Sequence, residues 1–215
     1  MGFDKNITEL RKDYLLQTLS ESEVSSNPIV QFEKWWLEAI KSEIEEINAM
    51  TLATCNSKGQ PSARVVLLKD FSEEGFIFFT NYNSRKGKDL SQNPFAALVF
   101  FWKELERQVR IEGSVKKISE SDSDEYFLTR PQASRLGAWS SPQSSFITDR
   151  EILEKNVEYY LQFFNNGDIP RPGYWGGYII KPSLIEFWQG RPGRLHDRIQ
   201  YIASDPGWQI NRLAP

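Results

Sequence analysis

The chain has one cysteine, Cys55, and one histidine, His196, among 215 residues. A single cysteine excludes an intrachain disulfide and suits a reducing, cytoplasmic location. One Cys and one His fall short of the three or four ligands of a His/Cys zinc site, so no metal is expected. No stretch is long and apolar enough to cross a bilayer, so no membrane partner is expected. The N-terminus lacks an apolar run and does not read as a secretory signal. Met1-Gly2 is followed by Asn6, not Ser or Thr, which fails the myristoylation pattern. The basic excess of a nucleic-acid binder is also missing, since 26 Lys and Arg face 29 Asp and Glu for a net charge of -3. Neither G-x-G-x-x-G nor G-x-x-x-x-G-K-[ST] occurs, and there is no βαβ alternation. Any phosphate held here is therefore held largely by charged side chains.

Hydrophobic residues at 40% and charged residues at 26% describe a globular chain. Its length fits one domain with an arm, divided as residues 1–27 and 28–215. The basic residues, though outnumbered, bunch at 64–69, 85–88 and 191–198. Clusters of this kind in an acidic chain point to discrete anion sites, such as holders of phosphorylated small molecules. Taken singly, each cluster also reads as a solvated face.

The pattern is mainly β with peripheral helices. Residues 7–19 are read as a short helix. Asn27-Pro28 caps a second helix, whose buried face takes Ile29, Phe32, Trp36, Ile40, Ile44 and Ile47. Strands are expected over 49–54, 62–69 and 76–80, joined by short Gly-containing turns as in antiparallel hairpins. A short helix follows over 83–92. The apolar run 95–101 reads as a strand buried on both faces, and 105–118 as a long strand. Helices are expected over 119–130, then from Pro131, and after a capping box of Thr148 with Glu151. Strands over 175–180, 184–189, 198–203 and 208–212 close the chain. A β-barrel with peripheral helices accommodates this order.

Five segments carry candidate chemistry. In 64–69, Arg64 and Lys69 have opposite strand parity, so they serve different ligands or the strand bends. Near Ser84, a helix N-terminus beside Arg85 and Lys86 offers a phosphate site or a plain capped basic turn. Tyr126 and Arg130 share a helix face, with Ser134 in the next first turn, which makes either a phosphate site or an ordinary helix–helix corner. The loop 139–145 is rich in donors. In 185–198, Arg194, His196 and Arg198 fall on one face if extended, and two guanidiniums around an imidazole call for an anion. The bland alternative there is a loop salt-bridged through Asp197 and Glu186.

The strings RVVLLK (64–69), FFTNYNSRKG (78–87), ERQVRIEG (106–113), YFLTRP (126–131), GAWSSPQSS (137–145), WGGY (175–178), IEFWQG (185–190), RLHDR (194–198) and RLAP (212–215) occur in this order. Together they resemble the pyridoxamine 5′-phosphate oxidase family over nearly the whole chain. The resemblance implies a split β-barrel, antiparallel and of Greek-key type, forming a homodimer with FMN at the interface. It implies oxidation of pyridoxamine 5′-phosphate or pyridoxine 5′-phosphate to pyridoxal 5′-phosphate. O2 is then the acceptor, H2O2 the by-product, and hydride passes from substrate C4′ to flavin N5. Carried over by position, FMN contacts fall on Arg64, Val65, Val66, Leu67, Leu68, Lys69, Phe79, Thr80, Arg85, Lys86, Gln108, Gln143, Ser144, Trp188 and Arg198. Substrate contacts fall on Arg11, Lys12, Asp13, Tyr14, Lys69, Tyr126, Arg130, Ser134, Arg194, Leu195 and His196. Arg194 and His196 are the candidate catalytic pair. Phe79 stands where some members carry Tyr, which preserves a backbone contact but not a hydroxyl one.

Two other readings compete. A flavin reductase on the same barrel would lack use for Tyr126, Arg130, Ser134 and the RLHDR string. A non-catalytic flavin or pyridoxal phosphate carrier would not need Arg194 with His196.

Overall fold

The structure is a computed structural model that describes residues 13–165 and 167–215. Arg11 and Lys12 lie outside the described residues. Among the described residues, five α-helices and nine strands follow in order: α1 (Pro28–Lys41), β1 (Ala49–Cys55), β2 (Pro61–Leu67), β3 (Asp70–Ser72), β4 (Gly75–Asn81), α2 (Arg85–Gln92), β5 (Phe95–Trp102), β6 (Arg107–Lys117), α3 (Glu120–Thr129), α4 (Gln132–Ser140), α5 (Glu151–Phe164), β7 (Trp175–Gln189), β8 (Asp197–Ala203) and β9 (Trp208–Arg212). The strand order is β2-β1-β5-β6-β7-β4-β3, with β8 on β7 and β9 on β8. The pairs β1–β2, β3–β4, β4–β7, β7–β8 and β8–β9 are antiparallel.

The chain forms two compact units, and β5, β6 and β7 each contribute to both. The first contains the described residues up to Ile47, with Val99–Ile111 and Leu184–Pro215. Its core is aromatic: Phe32 meets Phe100 at 5.2 Å, Trp35 meets Phe187 at 5.1 Å, and Phe187 meets Tyr201 at 5.6 Å. Helix α1 starts where expected, because Asn27 Oδ1 accepts from the Ile29 N–H at 2.8 Å and Pro28 needs no donor partner. Its buried stripe differs from the expected one. It runs through Ile29, Phe32, Trp35 and Ala39, leaving Trp36 on its flank and Ile40 half exposed. At roughly 100° per residue, a stripe centred on Phe32 and Ala39 turns Ile40 outward. The helix ends at Lys41, so Ile44 and Ile47 are not part of it.

Residues 13–19 form no helix, contrary to expectation. Their amides are taken by side chains instead: Leu15 and Leu16 N–H donate to Glu106 Oε2, and Leu19 N–H donates to Asp197 Oδ2. The run 95–101 is not buried on both faces. Leu98, Phe100 and Trp102 point inward, while Phe95 and Phe101 are more than half exposed.

The second unit contains Asn48–Leu98 and Glu112–Ser183. Met50, Leu52, Phe76, Phe78, Leu98 and Phe127 fill its core. Strand β2 stops at Leu67, so the expected strand 62–69 is two residues too long. The capping box also fails: α5 begins only at Glu151, and Asp149 Oδ1 accepts from the Ile152 N–H at 3.2 Å. Pro131 is the N-cap of α4 rather than its first helical residue. The two strands expected over 175–189 are one, since Pro182 falls between the stretch paired with β4 and the stretch paired with β8.

Candidate active site

A cavity of about 820 Å³ opens in the second unit. That is the size of a small-molecule site. Arg64, Val65, Val66, Leu67 and Lys69 line one part, Phe79, Thr80 and Lys86 another, and Tyr126, Arg130, Ser134 and Gln143 a third. The opposite parity of Arg64 and Lys69 has a simple resolution. The strand ends between them, and both border the same cavity.

Helix α2 brings Lys86 in. Ser84 caps it by accepting from the Gly87 N–H at 3.3 Å. Lys86 is 8% exposed, and its Nζ donates to Thr80 Oγ1 at 3.2 Å and Ser84 Oγ at 3.4 Å. Burial, followed by the charge of Arg64, pushes the Lys86 ammonium below its ordinary pKa. Arg64 is likewise lowered by burial; Asp89 opposes that shift and Arg85 adds to it.

Arg130 sits at the joint of α3 and α4 as the C-cap of α3. Its guanidinium lies over the Trp175 ring at 4.4 Å and the Phe127 ring at 5.3 Å. Burial lowers its pKa, with Tyr126 opposing, and its buried Nη1 has no hydrogen-bond partner. Such an atom costs free energy until an acceptor arrives. Tyr126 stacks on Phe79 at 3.8 Å and lies parallel to Trp175. Gly137 also borders the cavity, and a Cβ there would meet nothing within 4 Å. The protein's own packing therefore leaves that space open. Lys86 and Arg130, desolvated and without a carboxylate partner among the described residues, one with an orphaned donor, fit phosphorylated ligands.

Several expected residues do not line this cavity. Leu68 is buried in the core, while Arg85 and Ser144 are exposed. Gln108 lies on β6 and Trp188 on β7, both in the first unit. Arg198 is committed to Glu186, with Nε–Oε1 at 2.8 Å and Nη2–Oε2 at 3.1 Å, and its Nη1 donates to the Ala214 carbonyl. Burial pushes Glu186 up, but hydrogen bonds from Arg198 and Arg110 outweigh it and hold the carboxyl below its ordinary range.

Arg194, His196 and Arg198 do not share an extended face, because Pro192–Arg194 forms a 3-10 turn and β8 starts only at Asp197. Gly193 and Arg194 take left-handed φ values of 61° and 63°. Arg194 and Leu195 are exposed. His196 belongs to a separate cluster in the first unit. Its ring lies 4.5 Å from Trp188 and 5.8 Å from Tyr14, and its Nδ1 accepts from the Arg191 N–H at 3.1 Å. Tyr14 packs over Gly190, where a Cβ would come within 2.7 Å of its ring. Asp13 is exposed. The salt-bridged alternative for this segment is present too: Asp197 pairs with Arg191 at 3.6 Å and with Arg212 at 2.9 Å.

Sequence reasoning missed Trp175 as the platform under Arg130. It also missed Asn81, Thr129, Ala138 and Ser141 in the lining. The WGGY string pointed at Trp175 but gave no sign of what it touches.

Comparison with known proteins follows the same outline. A model described as "Pyridoxamine 5'-phosphate oxidase" matches residues 37–164, and one described as "Pyridoxine 5'-phosphate oxidase C-terminal dimerisation region" matches 175–215. A pyridoxine/pyridoxamine 5'-phosphate oxidase from Nostoc sp. is 58% identical over 213 residues, covering 99% of this chain and 100% of that one. The protein of that name from Cupriavidus taiwanensis is 54% identical, covering 97% and 99%. Among solved structures, PhzG from Burkholderia lata 383, in complex with tetrahydrophenazine-1-carboxylic acid, superposes with a TM-score of 0.87 at 30% identity. It covers 93% of this chain and 99% of that one. The fold is the split β-barrel, and the chain belongs to the pyridoxamine 5′-phosphate oxidase family.

Proposed function

We propose that the chain uses FMN to oxidise pyridoxamine 5′-phosphate and pyridoxine 5′-phosphate to pyridoxal 5′-phosphate. O2 is reduced to H2O2, and the amine substrate also consumes water and releases NH3. One observation carries this reading: a single cavity holds Lys86 and Arg130, both desolvated, neither paired with a carboxylate among the described residues. Two phosphates answer those two cations, one from the cofactor and one from the substrate.

FMN, when bound, supplies the two-electron acceptor that passes electrons on to O2. Arg64 and Lys86 hold its phosphate, helped by Arg85 and Ser144. Tyr126, Arg130 and Ser134, with Lys69, bind the substrate phosphate. Binding at that remote group orients the reacting carbon and spends affinity on positioning. The Trp175 and Phe127 rings restrict the Arg130 guanidinium, so its donors are aimed before substrate arrives.

Arg194 and His196 are the proposed catalytic pair, meeting the substrate in the assembled homodimer. With Nδ1 accepting from the backbone, neutral His196 carries its proton on Nε2. It thus offers a donor to the substrate rather than a base. The homodimer is supported by the match to a dimerisation region and by the outward apolar side of β2, where Val65 is 67% exposed. Val65 also borders the cavity, which favours FMN at the interface between copies. A cytoplasmic location, expected from the single cysteine, is part of the same proposal. Among the described residues, no helix is long and apolar enough to cross a membrane.

The two-phosphate assignment is tested by separating the two losses. Lys86→Met should yield protein depleted of FMN. Arg130→Met should keep its FMN and raise KM for pyridoxamine 5′-phosphate by about tenfold or more, the scale of one charge-assisted contact. Full FMN content in the first variant, or an unchanged KM in the second, would contradict the assignment.

A further inference from the structure

The Arg64 guanidinium is held from behind. Nη1 donates to the Thr54 hydroxyl at 2.7 Å and to the Leu52 carbonyl at 3.2 Å, and Nη2 donates to the Ser62 hydroxyl at 2.7 Å. Thr54 is 3% exposed, and its hydroxyl donates to Asp89 Oδ2 at 2.7 Å. A longer contact from the same hydroxyl, to the Ser62 carbonyl at 3.5 Å, is at the limit of a hydrogen bond. A hydroxyl has one proton. With that proton committed to a carboxylate, Thr54 faces Arg64 only as an acceptor. Asp89 is itself 7% exposed and lies on α2, the helix that also carries Lys86. Its closest approach to Arg64 Nη2 is 4.0 Å, too long for a hydrogen bond. The carboxylate therefore reaches the guanidinium in two ways, through the hydroxyl and by direct charge attraction across 4.0 Å. Neither Thr54 nor Asp89 lines the cavity.

We propose that Thr54, polarised by Asp89, is the positioning residue that aims Arg64 at the cofactor phosphate. This rests on the reading of Arg64 as a holder of that phosphate. An arginine held in its binding geometry has less side-chain freedom to lose when the anion arrives. Asp89 also offsets the burial of Arg64, whose pKa burial lowers and Asp89 raises. The arrangement ties the cation of β2 to the helix that presents Lys86, so both phosphate holders share one frame.

The test measures flavin binding to apoprotein by fluorescence, comparing FMN with riboflavin, which lacks the phosphate. Thr54→Val should weaken FMN about tenfold, the scale for losing a hydrogen bond to a charged group. Riboflavin affinity, weak in every chain, should not change. Thr54→Ser keeps the hydroxyl and should bind FMN like wild type. Asp89→Asn should cost less FMN affinity in Thr54→Val than in the wild-type chain, because the route through the hydroxyl is already cut. Wild-type FMN affinity in Thr54→Val, equal losses for both flavins, failed rescue by serine, or additive losses would each overturn the inference. Arg64→Gln separates the two levels. If it too binds FMN like wild type, the phosphate assignment itself fails; if it loses FMN while Thr54→Val does not, only the positioning inference fails.

Discussion

His196 holds its proton on Nε2 because the Arg191 amide occupies Nδ1. Burial, then the charge of Arg194, lowers its pKa. The folded protein thus resists protonating this ring, and the unfolded chain takes the proton first as pH falls. Any stability linked to it is present above the ordinary histidine pKa and is lost as pH drops through it. Because it is the only histidine in the chain, its ring protons give a single pair of histidine NMR signals in untagged protein. The titration midpoint should lie below the ordinary 6.5 and rise in Arg194→Ala. A midpoint at or above 6.5 would contradict the assigned environment. At this scale the sequence was informative where a side chain acts near its own strand, as with Arg64 through Leu67. It was silent on Trp175, since a ring under a guanidinium depends on a meeting between β7 and the α3–α4 joint.

Helix α2 depends on a close approach at its first turn. A Cβ on Gly87 would stand 2.1 Å from the Tyr82 carbonyl oxygen, a backbone atom that cannot swing aside. Gly87→Ala should therefore displace the turn carrying Ser84 and Lys86. The expected result is a lower melting temperature together with loss of bound FMN. A variant with unchanged melting and full FMN would refute this packing argument. Local chemistry made some elements legible: Asn27-Pro28 marks α1, and Ser119 marks α3 by accepting from the Asp122 N–H. Other elements were decided by distant partners. The segment 13–19 gives its amides to Glu106 and Asp197, which no local pattern announces. The apolar run of β5 read as doubly buried because sequence does not distinguish an inward face from one left open, such as that of Phe95 and Phe101.

For the molecule as a whole, the outward residues of β2 are apolar: Pro61, Ala63, Val65 and Leu67 are all exposed. Exposed apolar strand faces of this kind mark interaction sites. Ala63 does not line the cavity, so Ala63→Glu charges this face without touching the ligand lining. It should shift the mass measured by light scattering from dimer to monomer and lower FMN content with it. A dimer of wild-type FMN content would contradict an interface along β2. Family and fold were legible in the sequence because many short strings recur in order, whereas the turn at Pro192–Arg194 that takes Arg194 and His196 off a common extended face was not. The central claim is tested most directly by purifying the protein, checking it for flavin absorption, and adding pyridoxamine 5′-phosphate in air. Pyridoxal 5′-phosphate and H2O2 should appear together in equal amounts; a yellow protein that forms neither would contradict the account.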